Sequence, residues 1–211
     1  MMTIYIDLDH TLLDTERFKS ALQKALRPLG ISKSDFVFAY ARLRRRRSFA
    51  IEPFVALLEL SPLIQKKALR ALKKETARAE RFLYPDVFPF LRYAKKRKGV
   101  RVVIFTYGDP GFHRMKLKGM TKLKSFIDGM IITSKEKKNI ALPRVSGNVA
   151  IIDNRPEVVE YYAKRYGMMP IILDRPSPSP LPKGEGGRRS GEGHYRSLAA
   201  VAKMLERKWI V

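Results

Sequence analysis

The stretch Thr3-Ile-Tyr-Ile-Asp-Leu-Asp-His-Thr-Leu-Leu-Asp-Thr15 decides how the rest of the chain is read. Residues 3–8 are β-branched, aromatic and apolar, and they run straight into acids, which predicts a buried strand with carboxylates at its carboxyl end. Asp7 and Asp9 stand two residues apart just beyond that strand. Carboxylates so placed can divide the work of phosphoryl chemistry. One attacks phosphorus, and the other protonates the leaving oxygen and then activates water. The charge on the phosphoryl oxygens calls for a cation, and magnesium prefers oxygen ligands such as Asp7 and a second, distant carboxylate. Taken alone, Asp-x-Asp is also a common turn or cap.

Downstream, apolar runs recur at Val100–Thr106, Met130–Thr133, Val149–Asp153 and Pro170–Asp174, with helical stretches over about 87–98, from Asp109-Pro110 onward, and over 156–167. Short apolar strands alternating with helices predict a parallel sheet covered on both faces. Asp7, Thr106, Thr133 and Asp153 end four of these strands. In open α/β sheets the carboxyl ends of the strands form the ligand crevice.

Residues 14–83 have no convincing strand and read as four helices. The first is capped by Asp14 and ended by Pro28 and Gly30; the second starts at Ser32 or Ser34. The third covers Glu52 to Leu60 and the fourth Pro62 to about Phe82. The organisation expected is an α/β core, Rossmann-like, from residues 1–13 and 84–211, with an all-helical cap inserted at 14–83. Residues 176–193 are rich in Pro, Gly and Ser and are expected to be a flexible loop. Tyr195 to Trp209 is expected as a final amphipathic helix.

The chain has 211 residues and no cysteine, which excludes disulfides, thiolate metal sites and cysteine nucleophiles. No apolar run reaches the roughly 18–20 residues of a membrane span, and the acidic start does not resemble a signal peptide; a cytoplasmic protein is expected. Apolar residues make up 45% of the chain, enough for a core. The formal charge of +23 implies attraction to polyanions such as nucleic acid, phosphorylated metabolites or anionic lipid surfaces, or else a generic basic surface.

The string Ile6-Asp-Leu-Asp-His-Thr-Leu-Leu-Asp-Thr15 closely resembles the first motif of the haloacid-dehalogenase-like (HAD) superfamily, Asp-x-Asp-x-Thr, and three further motifs follow in order. Thr106, in Val-Val-Ile-Phe-Thr-Tyr-Gly, matches the strand-end Ser/Thr. Its hydroxyl and the N–H groups of Tyr107 and Gly108 are expected to grip the phosphoryl group. The third motif is a lysine; among Lys135, Lys137 and Lys138, the choice falls on Lys138, which precedes the apolar run Ile140-Ala-Leu as the family lysine precedes its helix. The fourth is Asp153-Asn154-Arg-Pro-Glu157, with Asn154 in place of a second acid. That replacement removes a charge and weakens the expected metal site.

The resemblance covers roughly 3–174. It implies Asp7 as nucleophile, Asp9 as acid/base, Mg²⁺ held by Asp7, Asp9 and Asp153, and a small phosphorylated metabolite as substrate. Asp9 favours phosphate-ester cleavage over carbon–halogen cleavage, since an alcohol leaving group needs a proton. The helical insert implies a cap that reads the leaving group. Arg42, Arg44, Arg45, Arg46 and Arg47 are either solvated or reach a second anionic group of the substrate. His10 stands beside the acids, while His113 and His194 show no metal-ligand spacing. The alternatives are a nucleic-acid-associated binding protein on the same scaffold, and a phosphotransferase or mutase.

Overall fold

The computed structural model describes residues 1–45, 48–175 and 193–208. Arg46, Arg47 and nearly all of the expected flexible loop lie outside the described residues.

The chain order is β1 (Met2–Ile6), α1 (Thr15–Leu26), α2 (Lys33–Arg44), α3 (Ile51–Ala56), α4 (Pro62–Thr76), α5 (Val87–Lys95), β2 (Val100–Tyr107), α6 (Pro110–Lys118), α7 (Thr121–Lys124), β3 (Gly129–Thr133), β4 (Asn148–Asp153), α8 (Pro156–Tyr166), β5 (Met169–Leu173), β6 (His194–Tyr195) and α9 (Leu198–Lys208). The six strands form one sheet in the order β3-β2-β1-β4-β5-β6, and every pairing is parallel. The architecture is the α/β Rossmann-like sheet expected from the strand pattern.

The two-residue period of a strand sorts the core. Ile4, Ile6, Val102, Ile104, Ala150, Ile152, Ile171 and Leu173 face one apolar layer, which continues into the insert through Phe18, Leu22 and Phe54. Tyr5, Val103, Phe105, Ile151 and Ile172 face the other, against Val158, Val159 and Tyr162 of α8. β1 is buried at every residue, as a central parallel strand must be.

Between residues 14 and 83 the described residues hold helices and no named strand. Asp14 caps α1 by accepting from the Arg17 N–H at 3.0 Å. Ser32 and Asp35 form a capping box at the start of α2. The chain leaves and rejoins the sheet side by side: the Asp14 N–H donates to the Phe82 carbonyl and the Tyr84 N–H to the Leu12 carbonyl, both at 2.9 Å.

Four expected elements differ. α3 stops at Ala56 rather than Leu60, because Glu59 takes a left-handed φ of 52° before Ser61-Pro62. α4 stops at Thr76, and a 3₁₀ turn at Ala79–Phe82 brings Ala79 and Phe82 into the core. No helix follows Lys138: after a 3₁₀ turn at Lys137–Asn139 the chain is irregular through Pro143 to β4. His194–Tyr195 is a short strand on β5, so α9 begins at Leu198 and not at Tyr195.

Candidate active site

Asp7 follows β1 directly, and its N–H extends the ladder by donating to the Ile152 carbonyl at 2.9 Å. Its carboxylate is nearly buried and faces the ammonium of Lys137, 2.5 Å from Oδ1. The same ammonium sits 2.7 Å from Asp153 Oδ2 at the end of β4. Thr11 donates its hydroxyl to Asp7 Oδ2 at 3.3 Å. Burial pushes Asp7 up to about 7, against the pull of Lys137 and with a further push from Asp153.

Lys137, not Lys138, therefore occupies the expected lysine position. It is 1% exposed, and Tyr162 anchors its carbonyl with an O–H···O bond of 2.6 Å. In a 3₁₀ turn each residue rotates by about 120°. Lys137 thus points inward, while Lys135 and Lys138 are exposed.

Asp9 faces a different cation. Lys116 Nζ donates to both of its carboxylate oxygens, at 2.7 and 2.8 Å. Burial would raise the Asp9 pKa, but Lys116 and then His113 outweigh it and hold this carboxyl well below the usual range. His113 Nε2 stands 3.5 Å from Asp9 Oδ2, and its Nδ1 is 3.2 Å from the Thr106 hydroxyl. Burial, with the charge of Lys116 beside it, drives His113 down to about 3, so the imidazole is neutral near pH 7. A proton on Nε2 suits the carboxylate, which leaves Nδ1 to accept from Thr106.

Both residues come from α6, which Asp109 caps by accepting from the Phe112 N–H at 2.8 Å. The spacing of three places His113 and Lys116 on one helical face. His113-x-x-Lys116 just after the second strand was the available signal, but with 43 Lys and Arg in the chain one lysine does not stand out.

Two groups expected to contact phosphate already have partners within the protein. Thr106 is fully buried and lies under His113, to which its hydroxyl is committed. The Gly108 N–H is engaged with the Thr133 carbonyl at 2.9 Å. The missing side chain of Gly108 instead opens a slot, since a Cβ there would lie 2.2 Å from His113 Nε2. Tyr107 and Gly108 both line the cavity over the acids.

That cavity has a volume of about 360 Å³. Its floor includes Asp7, Asp9, Lys116, Asn154 and Arg155; its far side is formed by Phe18, Lys19, Tyr40, Arg44 and Phe49 of the helical insert. His10 also lines it, with a left-handed φ of 60°, its N–H held by Thr15 Oγ1 at 2.9 Å.

A hard divalent cation suits part of this donor set. Asp7 and Asp153 are carboxylates at the ends of neighbouring strands, and one or two carboxylates are what magnesium ordinarily takes from a protein. Asp9, expected as a third ligand, has both its side-chain oxygens held by Lys116. Among the described residues no three His or carboxylate groups converge in a metal cluster. Asp153 Oδ1 already accepts from the Arg155 N–H at 2.9 Å.

No family profile and no curated protein sequence matches the chain. Solved structures do. YfnB from Bacillus subtilis, solved bound to magnesium, is 15% identical with a TM-score of 0.60, over 97% of this chain and 98% of that one. A Thermotoga maritima protein named as a β-phosphoglucomutase is 17% identical with a TM-score of 0.62, over 98% and 99%. A 2-haloacid dehalogenase from Pseudomonas syringae is 18% identical with a TM-score of 0.61, over 99% of each chain. The six-stranded parallel sheet with its helical insert is thus the haloacid-dehalogenase-like fold.

Proposed function

We propose that this chain is a magnesium-dependent phosphohydrolase acting on a small phosphate monoester through an aspartyl-phosphate on Asp7. The observation that supports the reading is the pair of acids beyond β1, each facing a different buried lysine. Neighbouring folds carry both phosphoryl-transfer and dehalogenase names, so the fold does not choose between them. Asp9 supports the phosphoryl reading, because a carboxyl there can supply the proton an alcohol leaving group needs.

In the first step Asp7 Oδ attacks phosphorus, the phosphorus–oxygen ester bond breaks, and the departing oxygen takes a proton from Asp9. In the second, Asp9 takes a proton from water, the water oxygen attacks phosphorus, and the bond to Asp7 breaks. Lys137 favours the ionised, attacking form of Asp7 against the burial that opposes it. Lys116 keeps resting Asp9 ionised; the incoming phosphate competes for this ammonium, and Asp9 takes from the hydroxyl of the phosphate monoanion the proton that it then delivers to the leaving oxygen. Asp7 and Asp153 would hold magnesium, which offsets phosphoryl charge.

The test is phosphate release from p-nitrophenyl phosphate with magnesium and with EDTA. Turnover is expected with magnesium and not with EDTA, and Asp7→Asn abolishes it. Turnover that survives Asp7→Asn excludes the covalent route. The same assay on a 2-haloacid, read as halide release, is expected to stay blank.

A further inference from the structure

The carboxylates on the core side of the cavity are each compensated within the protein. Asp7 faces Lys137 and Asp9 faces Lys116. Glu136 lies 3.4 Å from Arg155, and Asp109 serves as the cap of α6. The opposite wall has cations in excess. Arg44 lines the cavity, and among the described residues no carboxylate lies within ion-pair distance of it, whereas its neighbour Arg42 faces Glu59 outside the cavity. Lys19 also lines the cavity, 4.4 Å over the ring of Tyr40; among the described residues the carboxylate paired with it is Glu16, at 3.9 Å.

The wall that carries these cations is stiff. Tyr40 stacks on Phe36, with ring centroids 6.0 Å apart, and packs on Phe49 at 5.4 Å. Tyr40 and Arg44 are four residues apart and share a helix face.

Resting on the phosphohydrolase reading, we propose that Arg44 and Lys19, which line the cavity with Tyr40, form a second anion subsite. The substrate would be a short phosphate monoester with a carboxylate or a second phosphate at the end away from the transferred group. A cavity of about 360 Å³ is at the small end of ligand pockets, which run from roughly 300 to 1,000 Å³, so the carbon chain between the two anions is short.

The test uses two-, three- and four-carbon phosphate esters, each ending in a hydroxyl, a carboxylate or a phosphate, at 0.15 M salt to suppress the general field of a basic protein. The best acid-bearing ester is expected to exceed its hydroxyl analogue at least tenfold in kcat/KM. That ratio falls at least tenfold in Arg44→Gln, recovers in part in Arg44→Lys and stays put in Arg42→Gln, which removes the same charge outside the cavity. Whether the carboxylate or the phosphate gains more names the distal group. Equal rates across each set, or a ratio that Arg44→Gln leaves alone, overturns the subsite.

Calorimetric binding of the same compounds to folded Asp7→Asn protein decides the matter without turnover. Tighter binding of the acid-bearing compound, lost in Asp7→Asn/Arg44→Gln, upholds the subsite even if no ester is hydrolysed and the phosphohydrolase reading fails. Equal binding sinks the subsite while leaving hydrolysis intact.

Discussion

At the scale of single residues, Lys137 and Lys116 divide the charge of the site, and His113 is the group whose protonation the fold resists most visibly. Its pKa falls from the ordinary 6.5 to about 3 on folding. Between those values the unfolded chain holds a proton that the folded chain refuses, so His113 makes stability rise with pH by up to about 1.4 kcal/mol per unit. Asp7 acts in the opposite sense: raised to about 7, it makes folding release less readily what the unfolded carboxyl gives up above 3.8. Its stability contribution falls as pH rises, and the two slopes oppose one another in the wild type. The informative quantity is therefore the difference between wild type and His113→Gln. In urea titrations between pH 4.5 and 6, wild-type stability is expected to gain on the variant by close to that slope. A difference independent of pH would mean that His113 is charged in the fold.

At the scale of elements, α6 matters more than its nine residues suggest, since it supplies His113 and Lys116 and also meets the insert, where Phe112 packs on Phe18 and Phe49. Gly119 ends it against the backbone at the C-terminus of α4. A Cβ there would lie 2.2 Å from the Ala77 carbonyl oxygen, and the backbone cannot step aside as a side chain can. The φ of Gly119 is an ordinary −79°, so the requirement is for space and not for a left-handed turn. Gly119→Ala is expected to cost about 1–3 kcal/mol through overpacking, read as a lower urea midpoint. It should also weaken the Lys116–Asp9 pair one helical turn away. An unchanged midpoint would show that α4 and α6 can part freely.

At the scale of the molecule, Arg175 ties together segments that are far apart in sequence. Its guanidinium donates to the Thr11 carbonyl at 2.9 and 3.1 Å. It also reaches both oxygens of Asp86, at 2.7 and 2.9 Å. Asp86 in turn accepts from the Leu198 N–H at the start of α9, at 2.8 Å. The arginine side chain is 7% exposed, so removing it leaves a carboxylate without its partner in a poorly solvated place. Arg175→Ala is expected to cost on the order of 3 kcal/mol, and Arg175→Lys, which lacks the planar fork, recovers only part of it. Equal urea midpoints for Arg175→Ala and wild type would reduce this contact to surface decoration.

The sequence by itself determined the parallel sheet, because strands buried on both faces must be apolar along most of their length, and Ile4–Ile6, Val102–Phe105 and Ala150–Ile152 are apolar throughout. It also determined that Asp7 and Asp153 lie on one edge of the sheet, since both stand at carboxyl ends of parallel strands; that they are neighbours follows from the pairing of β4 with β1. Helix starts were legible where the capping chemistry is local, at Asp14, Ser32 and Asp109. What only the tertiary structure decided depends on rotation and on partners remote in sequence. The choice of Lys137 over Lys138 rests on one 3₁₀ step. The lysine on Asp9 comes from 107 residues downstream, and the commitments of the Thr106 hydroxyl and the Gly108 N–H follow from how α6 and β3 close on β2. A periodic pattern records which face of an element is buried. It carries no record of which charged group another element brings to meet it.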